Sequence, residues 1–305
     1  MRYIFLICFL PFFVFGDQLV HPLPKVVYNK QKAALGERLF LDPSLSKDST
    51  VSCADCHSLS RYGVDNKEFS TGIGGAKGGV NSPTVYNAVF NFVQFWDGRA
   101  KTLKDQAKGP LLNKVEMGNT EKGVVAAVEK NRYYAVEFKK IYKDGVTFDN
   151  IADSIAEFEK TLITYNSKFD RYLMGDKSAL TKTEQEGFGL FKGKGCISCH
   201  NGVNLGGNMF QKLGVTVEYK DPKSNLGRYD VTKNEEDKYM YKVPSLRNVE
   251  MTAPYFHNGL VGSLKDAIVL MGEHQLGVEF TKKELEKIEA FLKTLTGERP
   301  PRFVK

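Results

Sequence analysis

A five-residue pattern, Cys-x-x-Cys-His, occurs twice in this chain, at residues 53–57 and 196–200. Two thiols at this spacing can form thioethers with the vinyl groups of one haem, and the adjacent histidine can bind its iron. A structural zinc site is the alternative, because paired Cys-x-x-Cys units also suit tetrahedral thiolate coordination. Since both pairs carry the additional histidine, the sequence predicts two covalent c-type haems. The attachment thiols are Cys53, Cys56, Cys196 and Cys199, and the iron-binding imidazoles are His57 and His200.

The segment at positions 1–16 has the pattern of an export signal. Arg2 precedes an apolar run over residues 3–15, and Gly16 is small enough to precede a cleavage site. The run is too short for a lasting membrane anchor, which needs roughly 20 apolar residues. We therefore expect a signal peptide over residues 1–16 and a mature chain located in the periplasm.

The formal net charge is +7. Cleavage would remove Arg2, and two haems would add four propionates, so much of this excess is cancelled. The lysines are scattered rather than clustered, which is typical of a solvated surface. Nothing in the charge pattern indicates a nucleic-acid partner.

Several stretches recur at one constant offset along the chain: 83–87 as 244–248, 95–98 as 256–259, and 102–105 as 263–266. A Gly-x-x-Leu-Phe stretch also precedes each haem motif, at residues 36–40 and 187–191. The sequence therefore predicts a mainly α protein with long loops and little β structure, made of two c-type cytochrome domains related by internal duplication. The predicted domains are residues 17–165 and 166–305.

Local patterns indicate where several helices begin. Capping signals stand at Thr181 with Glu184, Ser263 with Asp266, and Thr281 with Glu284. Apolar residues at helical spacing predict a further helix over residues 148–163. The glycine-rich stretch over residues 60–83 is expected to be a loop.

The repeat distinguishes the two predicted irons. Met271 follows the helix that Ser263 opens, and a thioether is a common second ligand in electron-transfer haems. The equivalent position in the first half is Pro110, which cannot bind iron. We therefore expect His200 and Met271 on the second iron, and His57 with an open side on the first. Met209, Met240 and Met251 are alternative thioethers.

Two polar residues of the first half have the chemistry that an open haem needs. A carboxylate such as Glu116 could move a proton between the two oxygens of hydrogen peroxide, and the amide of Gln106 could orient the peroxide. The position equivalent to Gln106 in the second half is Ala267. A surface glutamate at a helix end is an equally good interpretation of Glu116 from the residues alone.

The chain resembles the bacterial dihaem cytochrome c peroxidases over essentially its whole mature length, through the strings at residues 95–100, 106–110, 115–118 and 252–257. That resemblance implies reduction of hydrogen peroxide to water, with electrons from a small monohaem cytochrome c entering at the second haem. It implies Glu116 and Gln106 as the distal catalytic pair, and Trp96 as the bridge between the haems. It also implies a homodimer and one Ca²⁺, bound by the side chain of Asn81 and the carbonyls of Thr252 and Pro254.

One departure from the family pattern concerns activation. Many members have Ser-Thr-Gly-His in the glycine-rich loop, and that histidine blocks the first iron until the second haem is reduced. This chain has Ile73 in its place. We therefore expect an oxidised first haem that is open without prior reduction, although Met117, Tyr86, Lys77 or His21 could still close it.

Two other functions are compatible with two c-type haems. One is maturation of a tryptophan-derived quinone on a partner protein, where related dihaem enzymes use a tyrosine at the position of Met271. The other is electron transfer without catalysis, which would leave Gln106 and Glu116 unexplained.

Overall fold

The computed structural model describes residues 19–220 and 225–304, so the predicted signal peptide lies outside the described residues. The described chain is mainly helical, as predicted, with long irregular connections. Its α-helices are α1 (Lys30–Phe40), α2 (Cys53–Cys56), α3 (Leu103–Leu112), α4 (Glu121–Lys130), α5 (Arg132–Ile141), α6 (Phe148–Glu159), α7 (Lys168–Leu173), α8 (Lys182–Gly193), α9 (Tyr229–Thr232), α10 (Leu264–Leu270) and α11 (Lys282–Lys293). None of the helices within the described ranges is long and apolar enough to cross a membrane.

The β structure of the described residues is small. Strands β1 (Phe210–Lys212) and β2 (Met240–Lys242) pair antiparallel, with Phe210 opposite Lys242. This short pair brings Lys242 beside Trp96, because the Lys242 amide donates to the Trp96 carbonyl at 2.8 Å.

The capping signals largely predict the helix starts. Thr181 and Glu184 form a reciprocal capping box at α8, and Thr281 and Glu284 form another at α11. At α10 the Ser263 hydroxyl accepts from the Asp266 amide at 3.1 Å. Helix α6 ends at Glu159 rather than at the predicted residue 163, because the next turn tightens into i to i−3 hydrogen bonds.

Two hydrophobic clusters account for most of the buried apolar side chains. The first is built from α1 and α3 to α6, and the second from α7, α8, α10 and α11. Each also receives one end of the described chain: Val20 packs in the second cluster, and Phe303 packs against the first. The predicted domain boundary at residues 165 and 166 lies between Leu162 of the first cluster and Phe169 of the second, and it stays a prediction.

The hydroxyl of Thr164 is hydrogen-bonded to both halves of the chain. The side-chain amides of Asn87 and Asn248 both donate to Oγ1 of Thr164, at 2.8 and 2.9 Å. A hydroxyl oxygen can accept two hydrogen bonds, and all three residues are buried. Both asparagines have φ of 61°, and they occupy equivalent positions of the repeated stretches 83–87 and 244–248. The internal duplication that the repeat suggested stays a prediction.

Helices α8 and α11 pack closely because Gly187 has no side chain. A Cβ at Gly187 would lie 1.9 Å from the carbonyl oxygen of Lys287. Helices α1 and α6 make a similar contact, where a Cβ at Gly36 would lie 1.8 Å from the carbonyl oxygen of Ser154. Both glycines belong to the Gly-x-x-Leu-Phe stretches, which therefore mark helix contacts.

We expect Gly187→Ala to lower the free energy of unfolding by about 1–3 kcal/mol, because α8 and α11 would have to move apart. Gly189→Ala is the matched control in the same helix, since a Cβ there meets no atom within 4 Å. This control should stabilise α8 by about 0.5–1 kcal/mol through helix propensity. Urea unfolding of the haem-loaded variants measures both values. Equal effects of the two substitutions would contradict the close helix contact.

Candidate functional site

The residues predicted for the first haem line one cavity. Its empty volume is about 1200 Å³, including the part open to solvent. The predicted residues on its walls are Cys53, Cys56, His57, Trp96, Gln106 and Glu116. The structure therefore brings together attachment thiols, an imidazole and a polar pair that lie far apart in the sequence.

The single turn of α2 presents the thiols and the imidazole. A capping box between Ser52 and Asp55 holds this turn. His57 follows it, with Nδ1 3.2 Å from the carbonyl oxygen of Gly63. Because a carbonyl only accepts, Nδ1 carries the proton and Nε2 keeps a free lone pair for iron. Burial lowers the pKa of His57 and raises the pKa of the Cys53 thiol, so both groups are neutral at pH 7.

Helix α3 supplies one wall of the first cavity. Leu103, Gln106, Ala107 and Pro110 line it, at the spacing of one helix face. Thr102 caps this helix through its hydroxyl, which accepts from the Asp105 amide at 3.1 Å. The amide of Gln106 is thus carried on a capped helix directly at the cavity.

Glu116 lies in the turn after α3 and is half-buried. Its Oε1 accepts from the side-chain amide of Asn113 at 2.6 Å. Burial raises the pKa of Glu116, and Arg99 and Asn113 partly oppose that effect. Asn113 and Arg99 were not predicted from the sequence. Arg99 stands in one of the strings that carry the family resemblance, which is the signal that could have indicated it.

The glycine-rich loop is bonded to the Glu116 segment. The Ile73 amide donates to the Glu116 carbonyl at 2.9 Å, and Gly72 lines the first cavity while Ile73 does not. The Ile73 side chain lies against Gly118: a Cβ added to Gly118 would be 2.2 Å from Cδ1 of Ile73. Of the four side chains proposed to close this haem, Met117 lines the cavity, whereas Tyr86, Lys77 and His21 do not.

Glu159, at the end of α6, also lines the first cavity and was not predicted. It is only 4% exposed, and its Oε2 has no hydrogen-bond partner within the described part of the chain. Burial raises the pKa of Glu159 to about 8, so it is protonated at pH 7. Ile155 lines the same cavity one helical turn before Glu159. This spacing is the sequence signal that could have indicated Glu159.

The residues predicted for the second haem line a second cavity, with an empty volume of about 1750 Å³ including its solvent-open part. They are Cys196, Cys199, His200 and Met271. The alternative thioethers Met209, Met240 and Met251 do not line it. His257 does, as expected for a residue near this haem.

His200 and Met271 are held by different local structures. Nδ1 of His200 lies 3.3 Å from the carbonyl oxygen of Leu205, so Nε2 is again free for iron. Burial lowers the pKa of His200 to about 4 and raises the pKa of the Cys196 thiol to about 11. Met271 begins a π-helical segment, Met271–Leu276, that continues α10. Such segments are frequent at functional sites.

The two cavities share a wall. Asn81, Ser82, Pro83, Thr84 and Trp96 line both of them. The Trp96 indole donates to the Asn81 carbonyl at 2.9 Å, and the Asn81 amide donates to the His257 carbonyl at 2.8 Å. The His257 ring stacks on Tyr241 with a centroid distance of 4.0 Å. Trp96 is therefore fixed between the cavities by bonds to both halves.

The three residues predicted to bind calcium lie on the second cavity. Asn81, Thr252 and Pro254 all line it. The side-chain nitrogen of Asn81 donates to the Lys67 carbonyl at 2.8 Å, which leaves its side-chain oxygen as the free acceptor. These donors are oxygens, as a hard cation requires.

The zinc alternative does not fit this geometry. The four thiols divide between the two cavities, two in each. Across residues 19–220 and 225–304, no cluster of three or more His, Cys, Asp or Glu side chains could hold a metal ion. Two large cavities, each with paired neutral thiols and an imidazole whose Nε2 is free, fit two covalent haems. The fold and site define a dihaem c-type cytochrome.

Comparison with known proteins identifies the family. The model of the di-haem cytochrome c peroxidase family matches residues 30–178. Cytochrome c551 peroxidase of Nitrosomonas europaea is 50% identical over 287 residues, covering 93% of this chain and 86% of that protein. Cytochrome c551 peroxidase of Pseudomonas aeruginosa is 44% identical over 299 residues, with coverage of 93% and 86%. This chain belongs to the dihaem cytochrome c peroxidase family.

A solved structure supports the same fold. The crystal structure of a MauG-like protein associated with microbial copper homeostasis superposes with a TM-score of 0.82 at 28% identity, covering 96% of this chain and 98% of that chain. The two peroxidases above are more similar to this chain in sequence than the MauG-like protein is. Methylamine utilization protein MauG of Methylorubrum extorquens is 32% identical over 281 residues, covering 88% of this chain and 79% of that protein. The lower identity of that protein makes the quinone-maturation alternative less favoured than the peroxidase function.

We expect Glu159→Gln to stabilise the haem-loaded protein increasingly as the pH rises. A carboxyl whose pKa is raised from 4.5 to about 8 is neutral in the folded protein, whereas its unfolded form ionises above pH 4.5. The wild type is therefore penalised between these two values, and the penalty is complete above pH 8. Guanidinium unfolding at pH 5 and pH 8 measures the difference.

Glu129→Gln, at an exposed position of α4, is the control for this experiment. It should leave the difference in unfolding free energy between the two pH values close to that of the wild type. A Glu159→Gln effect that is the same at both pH values would contradict a neutral buried carboxyl.

Proposed function

We propose that this chain is a periplasmic cytochrome c peroxidase that reduces hydrogen peroxide to two waters at the first cavity. Two electrons, from a small monohaem cytochrome c, and two protons are consumed per peroxide. The asymmetry of the cavities carries the proposal. The first has the carboxyl of Glu116 on its walls together with Gln106, whereas no acidic side chain of the described residues lines the second, where Met271 lies.

The residues that line each cavity also indicate which of them would hold each haem. Cys53 and Cys56 would attach the first haem, with His57 on its iron, and Cys196 and Cys199 the second, with His200 and Met271 on its iron. When bound, the haems would supply the redox chemistry, with peroxide reduction at the first cavity and electron entry at the second. Free Nε2 atoms on both histidines support these roles.

Glu116 is suited to moving one proton within the bound peroxide. Its carboxylate would take the proton from one peroxide oxygen and return it to the other, which leaves as water when the oxygen–oxygen bond breaks. Asn113 keeps the carboxylate oriented through its 2.6 Å hydrogen bond. The Gln106 amide would donate to the peroxide and stabilise charge as the oxygen–oxygen bond breaks.

Trp96 is the proposed route for electrons between the cavities. The residue lines both of them, and hydrogen bonds to Asn81 and Lys242 fix its position. An aromatic side chain in the shared wall gives the electron a path through protein rather than through solvent.

The remaining features that the family resemblance implies are also proposed for this chain. Asn81, Thr252 and Pro254 would bind one Ca²⁺ at the second cavity, and their common location supports this. A homodimer and removal of residues 1–16 on export complete the proposal. The dimer rests on the family resemblance, and the signal peptide rests on the residue pattern at the start of the chain.

We expect the fully oxidised, calcium-loaded enzyme to turn over peroxide without a lag. The loop that carries Ile73 is hydrogen-bonded to the Glu116 segment, and Ile73 offers no ligand to iron. Rapid mixing of oxidised enzyme with peroxide and reduced cytochrome c, followed by absorbance, measures any lag. A lag that vanishes when the second haem is reduced first would show that another ligand, such as Met117, closes the first haem. Absence of turnover in both states would leave electron transfer or quinone maturation.

The proton role of Glu116 predicts two kinetic effects. Glu116→Gln should lower kcat/KM by about 10²- to 10⁴-fold, because the proton acceptor is lost. Asn113→Ala should move the acidic limb of the pH profile of kcat/KM upward by about one pH unit. It removes a hydrogen bond that lowers the pKa of Glu116, and such bonds to charged groups are worth roughly 1.5–3 kcal/mol.

The visible spectra of both haems serve as the control and should be unchanged in these variants. If Asn113→Ala left the acidic limb in place while Glu116→Gln retained full activity, Glu116 would not be the proton carrier.

A further inference from the structure

Lys242 is a buried cation that the peroxidase reaction described above does not use. It ends β2, and its backbone amide donates to the Trp96 carbonyl at 2.8 Å. The residue lines the second cavity and is only 5% exposed. Lysines are almost never buried to this degree unless they are paired with an anion.

No such anion is supplied by the described protein. Burial lowers the pKa of Lys242 to about 8, and burial is the only cause. Among residues 19–220 and 225–304, no acidic side chain is close enough to Lys242 to raise that pKa. An ammonium group taken out of water without a counter-charge is strongly unfavourable. An anionic group inside the second cavity would supply the counter-charge that Lys242 lacks among these residues.

The group that belongs in this cavity carries that charge. A haem attached to Cys196 and Cys199 has two propionate carboxylates, and the cavity walls include both thiols and Lys242. Lys212 also lines this cavity but is exposed to solvent, and two other nearby lysines have acidic partners. Lys238, in the segment before β2, pairs with Glu235 at 2.5 Å, and Lys233 lies 4.0 Å from Asp230 on the surface. For Lys242, a haem propionate would be the acidic partner.

We propose that Lys242 forms an ion pair with a propionate of the haem in the second cavity and thereby raises the reduction potential of that haem. The inference rests on the proposed function only in that the second cavity holds a haem. A positive charge close to iron in a medium of low dielectric favours the reduced form, which carries one positive charge fewer. The backbone of Lys242 is also hydrogen-bonded to that of Trp96, the proposed route by which electrons would leave the second cavity. It is a positioning and tuning residue and touches no peroxide.

The test is an equilibrium redox titration of the haem-loaded protein, followed by the visible absorbance of each haem. In Lys242→Met, the propionate keeps its charge and loses its partner. We expect the reduction equilibrium of the second haem to shift at least tenfold toward the oxidised form, which is about 59 mV for one electron. The potential of the first haem should change much less, because Lys242 does not line the first cavity.

Two variants separate a specific ion pair from general effects. Lys242→Arg keeps the charge and should stay close to the wild-type potential. Lys233→Met removes the same charge from an exposed site, with its side chain 68% accessible, and should shift neither haem by a comparable amount. An unchanged second-haem potential in Lys242→Met, or a shift confined to the first haem, would overturn the proposal.

If Lys242→Met fails to fold or to bind haem, a crystal structure of the wild-type holoenzyme decides the question. The proposal requires Nζ of Lys242 within about 4 Å of a propionate oxygen of the second haem. A longer separation, or a protein carboxylate at Nζ, would overturn it. Peroxide turnover is measured separately. Loss of turnover with a normal Lys242 effect would count against the peroxidase function alone, and the reverse result would count against this inference alone.

Discussion

The wall between the two cavities holds both sites in place. Residues 81–84 and Trp96 line both cavities, so any movement of this wall would change both sites together. Hydrogen bonds from Trp96 to Asn81, from Asn81 to His257 and from Lys242 to Trp96 hold it. Thr164 in addition accepts from an asparagine of each half. Under the proposed function the two haems exchange electrons, which requires a fixed separation, and these bonds would provide it.

Burial has different consequences for the charged groups around the cavities, according to their partners. Burial raises the pKa of Glu116, and Arg99 and Asn113 partly oppose that rise. Glu159 has no such partner among the described residues and is neutral at pH 7. Lys242 is also unpartnered within the described protein, and its positive charge therefore calls for a ligand carboxylate. In the proposed roles, burial thus accompanies a proton carrier at Glu116, a neutral acid at Glu159 and a cation at Lys242 that tunes the second haem.

Much of the site could be predicted from the sequence because its chemistry is local. Two thiols and a histidine lie within five residues around the single turn of α2. A helix start and the spacing of the repeat indicated Met271, with three other methionines left as alternatives. The capping boxes of α8 and α11 were predicted for the same reason. The end of α6 was placed too late, since the apolar spacing continues after the backbone has tightened. Asn113 was not predicted because its contribution is a hydrogen bond to Glu116, and that bond depends on how the turn after α3 folds.

The sequence alone determines which groups can bind haem covalently, because the thiols and the histidine of each motif lie within five residues. Which distant residues share a cavity depends on the folded chain: Glu116 with His57, Met271 with His200, and Trp96 with both cavities. The burial of Lys242 and Glu159, when most of the other lysines and glutamates are not buried, also depends on it. A single charged residue carries no periodic signal of its burial. Its environment is set by packing between segments far apart in the chain, and only the folded structure contains that information.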